Sequence, residues 1–187
     1  NLSMSDEVAF RVSFDGPVPE PRDRYWRGLV LTSFNGRSWT GREPNISRRA
    51  RDHIQPLGEA THYEITLEPT NQQWVFALDM PTEWSLPSTF MGRQHQLARA
   101  TPIEQRVAYN AVSHTDYRAE VELSPMFRNW YRSLPEDSNP RTLEFARDMR
   151  AAAASDREFI DNVLEMLNQE EFYYTLEPPA LGSNSVD

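Results

Sequence analysis

The hydrophobic period of the chain changes near residue 124, and this change constrains the fold more than any other feature. Before it, apolar residues recur at every second position; in Glu7–Phe14, for example, Val8, Phe10 and Val12 share one face. That spacing is typical of half-buried antiparallel strands. After residue 124 the apolar spacing becomes helical. The pattern predicts an α+β fold, in which an antiparallel β-sandwich or open-barrel domain (residues 1–123) precedes a helical segment (124–187).

A first hairpin is predicted around the Asn35-Gly36 dipeptide. Tyr25–Phe34 has the composition of a strand, and Asn-Gly favours a type I′ turn because both central positions need a positive φ. With that two-residue loop, Phe34 and Trp39 become diagonal neighbours, and we expect them at a corner of the core. Residues 41–60 have no period and are predicted to form a solvated loop.

Two further hairpins are predicted from the strands that follow. Tyr63–Glu68 resumes the alternation and is expected to pair with the apolar run Trp74–Leu78. Gln105–Ser113 is expected to pair with Tyr117–Leu123. Strands at this spacing favour a sandwich or an open barrel.

Three helix starts are visible after the change of period. Ser124 and Asn139 each precede a proline, and Ser155 with Glu158 forms a capping box, in which Glu158 is expected to accept from the Ser155 amide. The last helix has the widest apolar stripe of the chain: Phe159, Ile160, Val163, Leu164 and Leu167. We expect this stripe to pack on the β-domain, on a neighbouring chain or on another part of a parent protein.

Composition and charge exclude several classes of function. The chain has no cysteine, so disulfides, cysteine-ligated zinc and a cysteine nucleophile within these residues are excluded. A net charge of −9 argues against nucleic-acid binding, and the acidic excess is largest in residues 126–187. No apolar run approaches the roughly 20 residues of a membrane span. Because the first residue is Asn, we expect the chain to be a piece of a longer protein.

The sequence contains only weak candidates for catalytic or metal-binding residues. His114 and Asp116 share a strand face, but they supply two metal ligands at most. Glu64 and Glu68 are a possible carboxylate pair of the glycosidase type, and a solvent-facing strand explains them more simply. Asn45–Ser47 matches the glycosylation pattern by chance. We therefore predict no catalytic, cofactor-binding or metal-binding residue in this chain, and no cofactor.

The aromatic residues support an alternative function. Exposed and coplanar tryptophan rings on one sheet face are what a glycan-binding β-sandwich would use, although core packing is the commoner role of such rings. The alternative prediction is a free-standing module that binds cell-wall glycan or a protein partner. The aromatic residues concerned are Tyr25, Trp26, Trp39, Trp74, Trp84, Phe90, Trp130 and Tyr131.

Two groups of residues form recognisable sequence motifs. The first is a Tyr-Trp-Arg-Gly strand followed by an aromatic-Asn-Gly turn and a tryptophan, here Tyr25–Leu31 with Phe34–Trp39. The second combines a helix start with an aromatic segment and a short tail, here Asn139–Thr142, Phe172–Leu176, Pro178-Pro179, Leu181-Gly182 and Ser185–Asp187. With both groups the chain resembles TgpA-type bacterial transglutaminase-like proteins, and the resemblance runs from about Ser5 to Asp187.

This resemblance implies a location and a parent activity. The parent is expected to be a bacterial inner-membrane protein whose periplasmic region joins a β-rich domain to a papain-like transglutaminase core. In that family the nucleophilic Cys follows the segment matching Ser185–Asp187, and the catalytic His and Asp follow later. The chain would then be the non-catalytic N-terminal part. Its partners would be its own core and transmembrane segments, and a protein or peptidoglycan-associated substrate, with no nucleic acid.

Overall fold

The computed structural model describes residues 7–41, 54–172, 175, 182 and 184–187. Within these ranges the chain forms antiparallel strands and then helices, as the change of period predicts. The strands are β1 (Phe10–Phe14), β2 (Trp26–Arg27), β3 (Ser33–Phe34), β4 (Trp39–Thr40), β5 (Ile54–Pro56), β6 (Thr61–Leu67), β7 (Trp74–Val75), β8 (Ala77–Leu78), β9 (Pro81–Trp84), β10 (Thr89–Met91), β11 (Leu97–Arg99), β12 (Val107–Ser113) and β13 (Tyr117–Ala119). The helices are α1 (Pro125–Tyr131), α2 (Pro140–Ala152) and α3 (Asp156–Gln169). In the part of the chain so described, no helix has the length and apolarity needed to cross a bilayer.

The main sheet joins the segments with the clearest alternation, in the order β1-β6-β12-β9. Along β6 the buried residues Tyr63, Ile65 and Leu67 alternate with more exposed ones. The register places Ile65 between Val12 of β1 and Tyr109 of β12. The predicted faces are therefore confirmed for β6 and for Phe10–Phe14 of β1, because a period of two fixes which side chains point inward, whereas Val8 precedes β1 and is exposed.

Both of the later hairpin predictions are wrong about strand partners. β7 pairs with β11 and β8 with β2, so Trp74–Leu78 is not the partner of β6. β12 pairs with β6 and β9, while β13 pairs with β5. The strand β5 also falls inside the predicted loop 41–60, of which residues 42–53 lie outside the described ranges. Alternation identifies the inward face of a strand and carries no information about its partner.

The first hairpin forms with a different turn register. Only Gly36 has a positive φ, +95°, and the Asn35 amide donates to the Ser38 carbonyl at 3.2 Å. The loop residues are therefore Gly36 and Arg37, and a positive φ at the first of them is the requirement of a type II′ turn. Phe34 and Trp39 lie opposite each other with ring centroids 5.0 Å apart, and Trp39 is 57% exposed rather than in the core.

All three predicted helix starts are found, with differences at their caps. The Ser155 hydroxyl accepts from the Glu158 amide at 3.1 Å, whereas the Glu158 carboxylate accepts from the Ala154 amide instead of the Ser155 amide. The side chains of Ser124 and Asn139 make no capping bond. The Glu158 carboxylate therefore bonds the amide one residue before the one that a standard capping box uses.

The described residues divide into two compact units. One unit spans 6–33 and 40–132 and contains the main sheet together with α1. In this unit the Arg93 guanidinium lies 4.0 Å from the centroid of the Phe127 ring on α1. The other unit takes in the hairpin tip 34–39 and residues 133–187, including α2 and α3.

The Ser155 side chain caps α3 whereas the Ser124 side chain makes no bond to α1, and this difference gives a testable prediction. Replacing the capping residue (Ser155→Ala) should cost about 1 kcal/mol of helix stability, because the Glu158 amide loses its acceptor. Amide hydrogen exchange in the first turn of α3 should accelerate accordingly. The matched control, Ser124→Ala, removes a hydroxyl without a capping bond and should leave exchange in α1 unchanged. Equal effects in the two helices would contradict the assignment of the cap.

Candidate functional site

The Arg27 side chain is anchored by a two-point ion pair with Asp79. Nε of Arg27 donates to Oδ1 of Asp79 at 2.7 Å and Nη2 donates to Oδ2 at 3.0 Å, while Nη1 donates to the Gln94 carbonyl at 3.1 Å. The two side chains are only 19% and 11% exposed. Burial disfavours the charged guanidinium, but the hydrogen bond and charge of Asp79 outweigh it and raise the pKa of Arg27. The pair is therefore held in its charged form.

Asp79 connects this pair to two more segments. Its backbone amide donates to the Tyr25 carbonyl at 2.9 Å, and the Tyr117 hydroxyl donates to Oδ2 at 2.6 Å. Burial, together with the hydrogen bond to Asp79, raises the pKa of Tyr117 to about 12, so the phenol stays protonated as the donor. One carboxylate therefore fixes β2, β8 and β13 relative to one another within the β-rich unit.

The neighbours of Arg27 in the sequence also have packing roles. The Trp26 ring makes edge contacts with Phe10 at 5.3 Å and Tyr63 at 5.7 Å between centroids. A Cβ atom placed on Gly28 would lie 2.8 Å from an edge carbon of the Phe76 ring, which leaves room only for glycine. The Tyr25–Gly28 segment is therefore a structural anchor, and each of its four residues has a defined contact.

A second cluster closes the end of the chain onto the start of α2. The Asn139 amide donates to Oδ1 of Asn184 at 3.0 Å, and the Val186 amide donates to Oδ1 of Asn139 at 2.9 Å. Asn139 is itself buried and has a left-handed φ of 51°. Its side chain is engaged with the tail, which explains why it does not cap the helix that it precedes.

The carboxylate of Asp187 supplies the missing cap. Oδ1 accepts from the Thr142 amide at 2.8 Å and from the Thr142 hydroxyl at 2.9 Å, and Oδ2 accepts from the Arg141 amide at 3.3 Å. Although desolvation raises it, the hydrogen bonds from Thr142 lower the pKa of Asp187 below its usual value. A carboxylate on the free amides of a first turn is also favoured by the helix dipole. We call the contacts of Asn139, Arg141 and Thr142 with residues 184–187 the tail clamp.

The tail clamp is the candidate functional site, because it brings together two segments singled out in the sequence. Asn139–Thr142 and Ser185–Asp187 were recognised separately, and their contact was missed. No sequence signal marks this contact, because Asn139 is itself a preferred N-cap residue and Asp187 lies 45 residues from Thr142. The clamp contains no nucleophile, and both oxygens of its carboxylate accept hydrogen bonds. Its hydrogen bonds fix residues 184–187 against the start of α2.

The glutamate pair considered for hydrolysis is arranged as an ordinary sheet surface. Glu68 forms ion pairs with Arg11 and Arg106, each at 2.9 Å, and the hydrogen bond from Arg106 lowers its pKa. A general acid needs a raised pKa. Four residues along a strand also separate Glu64 from Glu68 by about 13 Å, which exceeds the spacing of glycosidase carboxylates. The structure therefore gives the carboxylate-hydrolase hypothesis no support.

The remaining sequence candidates do not form a site in the described ranges. The His114 amide and carbonyl bond to Met80, and the Asp116 carbonyl accepts from the Leu57 and Gly58 amides. Across residues 7–41 and 54–172 no group of three or more His, Asp or Glu side chains is placed to hold a metal ion. Asn45–Ser47 lies outside the described residues. Among the five tryptophans, which are all described, Trp39 alone is largely exposed, and it stacks on Phe34.

Comparisons with known proteins agree with the resemblance seen in the sequence. The family model described as the TgpA N-terminal domain matches residues 1–120. A curated Pseudomonas aeruginosa PAO1 protein named protein-glutamine gamma-glutamyltransferase is 36% identical over 186 residues. The match covers all of this chain and 28% of that protein, so the chain spans little more than a quarter of its relative.

Two solved structures share the fold. The crystal structure of the periplasmic domain of TgpA from Pseudomonas aeruginosa matches with a TM-score of 0.87 and 34% identity, covering 96% of this chain and 62% of that one. The same domain bound to ethylmercury matches with a TM-score of 0.86 and 34% identity, covering 98% and 64%. Over a third of each solved chain therefore has no counterpart here.

The close approach at Gly28 predicts a position-specific loss of stability. A Gly28→Ala substitution should lower the free energy of unfolding by about 1–3 kcal/mol, because the added methyl group must displace the Phe76 ring. Chemical denaturation followed by tryptophan fluorescence measures this change. The matched control is Gly16→Ala, where the new Cβ meets nothing within 4 Å and the change should stay within about 0.5 kcal/mol. A similar loss at both positions would refute the packing argument.

The tail clamp predicts a pH-dependent contact. Because the pKa of Asp187 is depressed in the folded chain, its stabilising contribution is present above the ordinary aspartate pKa of about 3.9 and is lost as the pH falls through the depressed value. The amide resonance of Thr142 should therefore titrate with a midpoint below about 3.9. That titration should disappear in Asp187→Asn and persist in the control Asp148→Asn, which changes a carboxylate elsewhere on α2. A midpoint above 3.9 would rule out the clamp.

Proposed function

Because the chain belongs to the TgpA N-terminal domain family, we propose that it is the non-catalytic N-terminal part of the periplasmic region of a transglutaminase-like protein. The observation that carries the proposal is the identity of 36% along the whole chain to a protein-glutamine gamma-glutamyltransferase. The chain is a periplasmic domain, like the solved structures that it matches. The parent would be anchored in the bacterial inner membrane.

The parent is proposed to transfer acyl groups at glutamine-type amides through a cysteine thioester. A thiolate attacks the carboxamide carbon, and the amide nitrogen takes up a proton and leaves as ammonia. The resulting thioester is then opened by an amine or by water. The amine gives an isopeptide bond and water gives a glutamate side chain, and the thiol is restored in either case. The chain has no cysteine, so it would take no part in these bond changes. Protein or peptidoglycan-associated amides are the proposed substrates.

The role of this chain would be to scaffold the catalytic core. We propose a functional boundary between residues 123 and 124, with the β-rich part before it and the helical lead-in to a papain-like core after it. The compact units divide later, between residues 132 and 133, so α1 packs with the β-rich unit. The tail clamp supports this role, because it fixes residues 184–187 on α2 and so defines the position from which a following segment would start. The glycan-binding alternative has less support, because each exposed aromatic residue of that set contacts a neighbouring side chain: Tyr25 contacts Arg27, Trp39 stacks on Phe34 and Tyr131 stacks on Trp130.

Activity measurements on the parent and on this chain test the proposal. The parent should incorporate a fluorescent primary amine into a glutamine-containing protein and should release ammonia when the amine is omitted. Both activities should be lost after thiol alkylation, because the thioester cannot form. This chain alone should show neither activity. Activity in the chain alone, or a parent whose activity survives alkylation, would refute the proposal.

A further inference from the structure

Apart from its four histidines, every basic side chain of this sequence is an arginine. There are 19 arginines and no lysine, although lysine is among the commonest residues of soluble proteins. Both side chains carry a positive charge at neutral pH, so charge alone does not select between them. A structural reason for the preference would be a contact that only the planar guanidinium, with its five donors, can make.

The contacts of the exposed arginines do not require a guanidinium. Arg27 does require one, since it holds both oxygens of Asp79. By contrast, Arg11 and Arg106 each reach Glu68 through one nitrogen at 2.9 Å, and their side chains are 60% and 67% exposed. Arg22 is 78% exposed and lies beside acidic residues of its own turn. An ammonium group would serve as well at such positions, because exposed ion pairs contribute little and have loose geometry.

The property that separates the two side chains at an exposed position is nucleophilicity. The ordinary pKa of a lysine amine is about two units below that of a guanidinium, so its uncharged fraction at neutral pH is about a hundredfold larger. The uncharged amine also has a localised lone pair, whereas that of the guanidine is delocalised. Lysine therefore attacks acyl carbons and arginine does not.

The other reactant of a glutamine-amine cross-link is present in the chain. The sequence has seven glutamines, and Gln72 and Gln105 are exposed. A cross-link between two copies needs a carboxamide on one copy and a primary amine on the other. Residues 1–187 supply the carboxamide without a side-chain amine, so the substitution of arginine for lysine affects the acceptor side alone.

We propose that arginine in place of lysine keeps this chain from acting as an acyl acceptor for its own parent. An acceptor amine would bond to the thioester carbonyl carbon while the carbon–sulfur bond breaks, and its proton would pass to the leaving thiolate. A lysine on the enzyme would compete with substrate amines at the effective concentration of a tethered group, of order millimolar for a flexible tether. The inference rests on the proposed function for the thioester, and it adds that the acceptor amine comes from outside residues 1–187.

Returning one amine to the surface of the parent tests the inference. Arg22→Lys keeps the charge, and a fluorescent glutamine peptide supplied as donor should become attached at position 22. Peptide mapping by mass spectrometry should show labelling of that position at least about tenfold above the wild type, because the uncharged amine is so much more abundant. Arg106→Lys should behave in the same way. The matched control, Arg22→Ala, provides no amine and should remain unlabelled.

Two outcomes would overturn the inference. One is a parent that incorporates a free fluorescent amine but leaves both lysine variants unlabelled. The other is a wild-type parent that is labelled within residues 1–187.

An unrelated transglutaminase separates failure of this inference from failure of the proposed function. If the parent transfers no acyl group, the proposed chemistry is refuted, and the isolated chain is then treated with the second enzyme and the same donor. Labelling of Arg22→Lys at position 22, with none of the wild-type chain beyond its N-terminal amine, would support acceptor inertness. Equal labelling of the two chains would overturn it.

Discussion

The ion pair of Arg27 and Asp79 is the interaction on which the β-rich unit depends. Arg27 lies in β2 and Asp79 directly follows β8; each of these strands has two residues, and a ladder of that length is marginal by itself. The two-point geometry of a guanidinium on a carboxylate fixes both distance and orientation, which two backbone pairs do not. Removing either partner alone would leave a largely buried charge uncompensated, at a cost of about 3–5 kcal/mol.

The contacts of Tyr25–Gly28 explain why this segment is a recognisable sequence motif. Tyr25 offers a carbonyl to the Asp79 amide, Trp26 enters the aromatic core, Arg27 carries the ion pair and Gly28 lets the Phe76 ring approach. The four requirements differ, so each position needs its own residue type. A segment with such packing demands is recognisable in sequence, which is why the family resemblance rests on it and on no site chemistry.

How far the sequence predicts the structure depends on whether the determining contact is local. The inward faces of β1 and β6 follow from alternation, and the starts of α1 and α3 follow from the residues immediately before them. Strand partners were predicted wrongly because alternation is compatible with any neighbour. The first turn shifted because the Asn35 side chain accepts from the Arg37 and Ser38 amides, which leaves the positive φ to Gly36 alone.

The tail clamp shows the same limit at the candidate site. Thr142 and Asp187 are 45 residues apart, so no short window of sequence contains both partners, and Asn139 before α2 has the composition of an ordinary cap.

The two units differ in how much of their apolar surface they bury. The β-rich unit buries a continuous core that includes Ile65, Leu78 and Leu97, and its charged anchor is paired within the unit. The α2–α3 unit is held by end contacts instead: a serine cap on α3 and an aspartate cap on α2. Caps contribute about 1 kcal/mol each and do not replace the burial of an apolar face. The β-rich unit therefore completes its core from its own residues, whereas Ile160, Leu164 and Leu167 on α3 are 51%, 58% and 47% exposed.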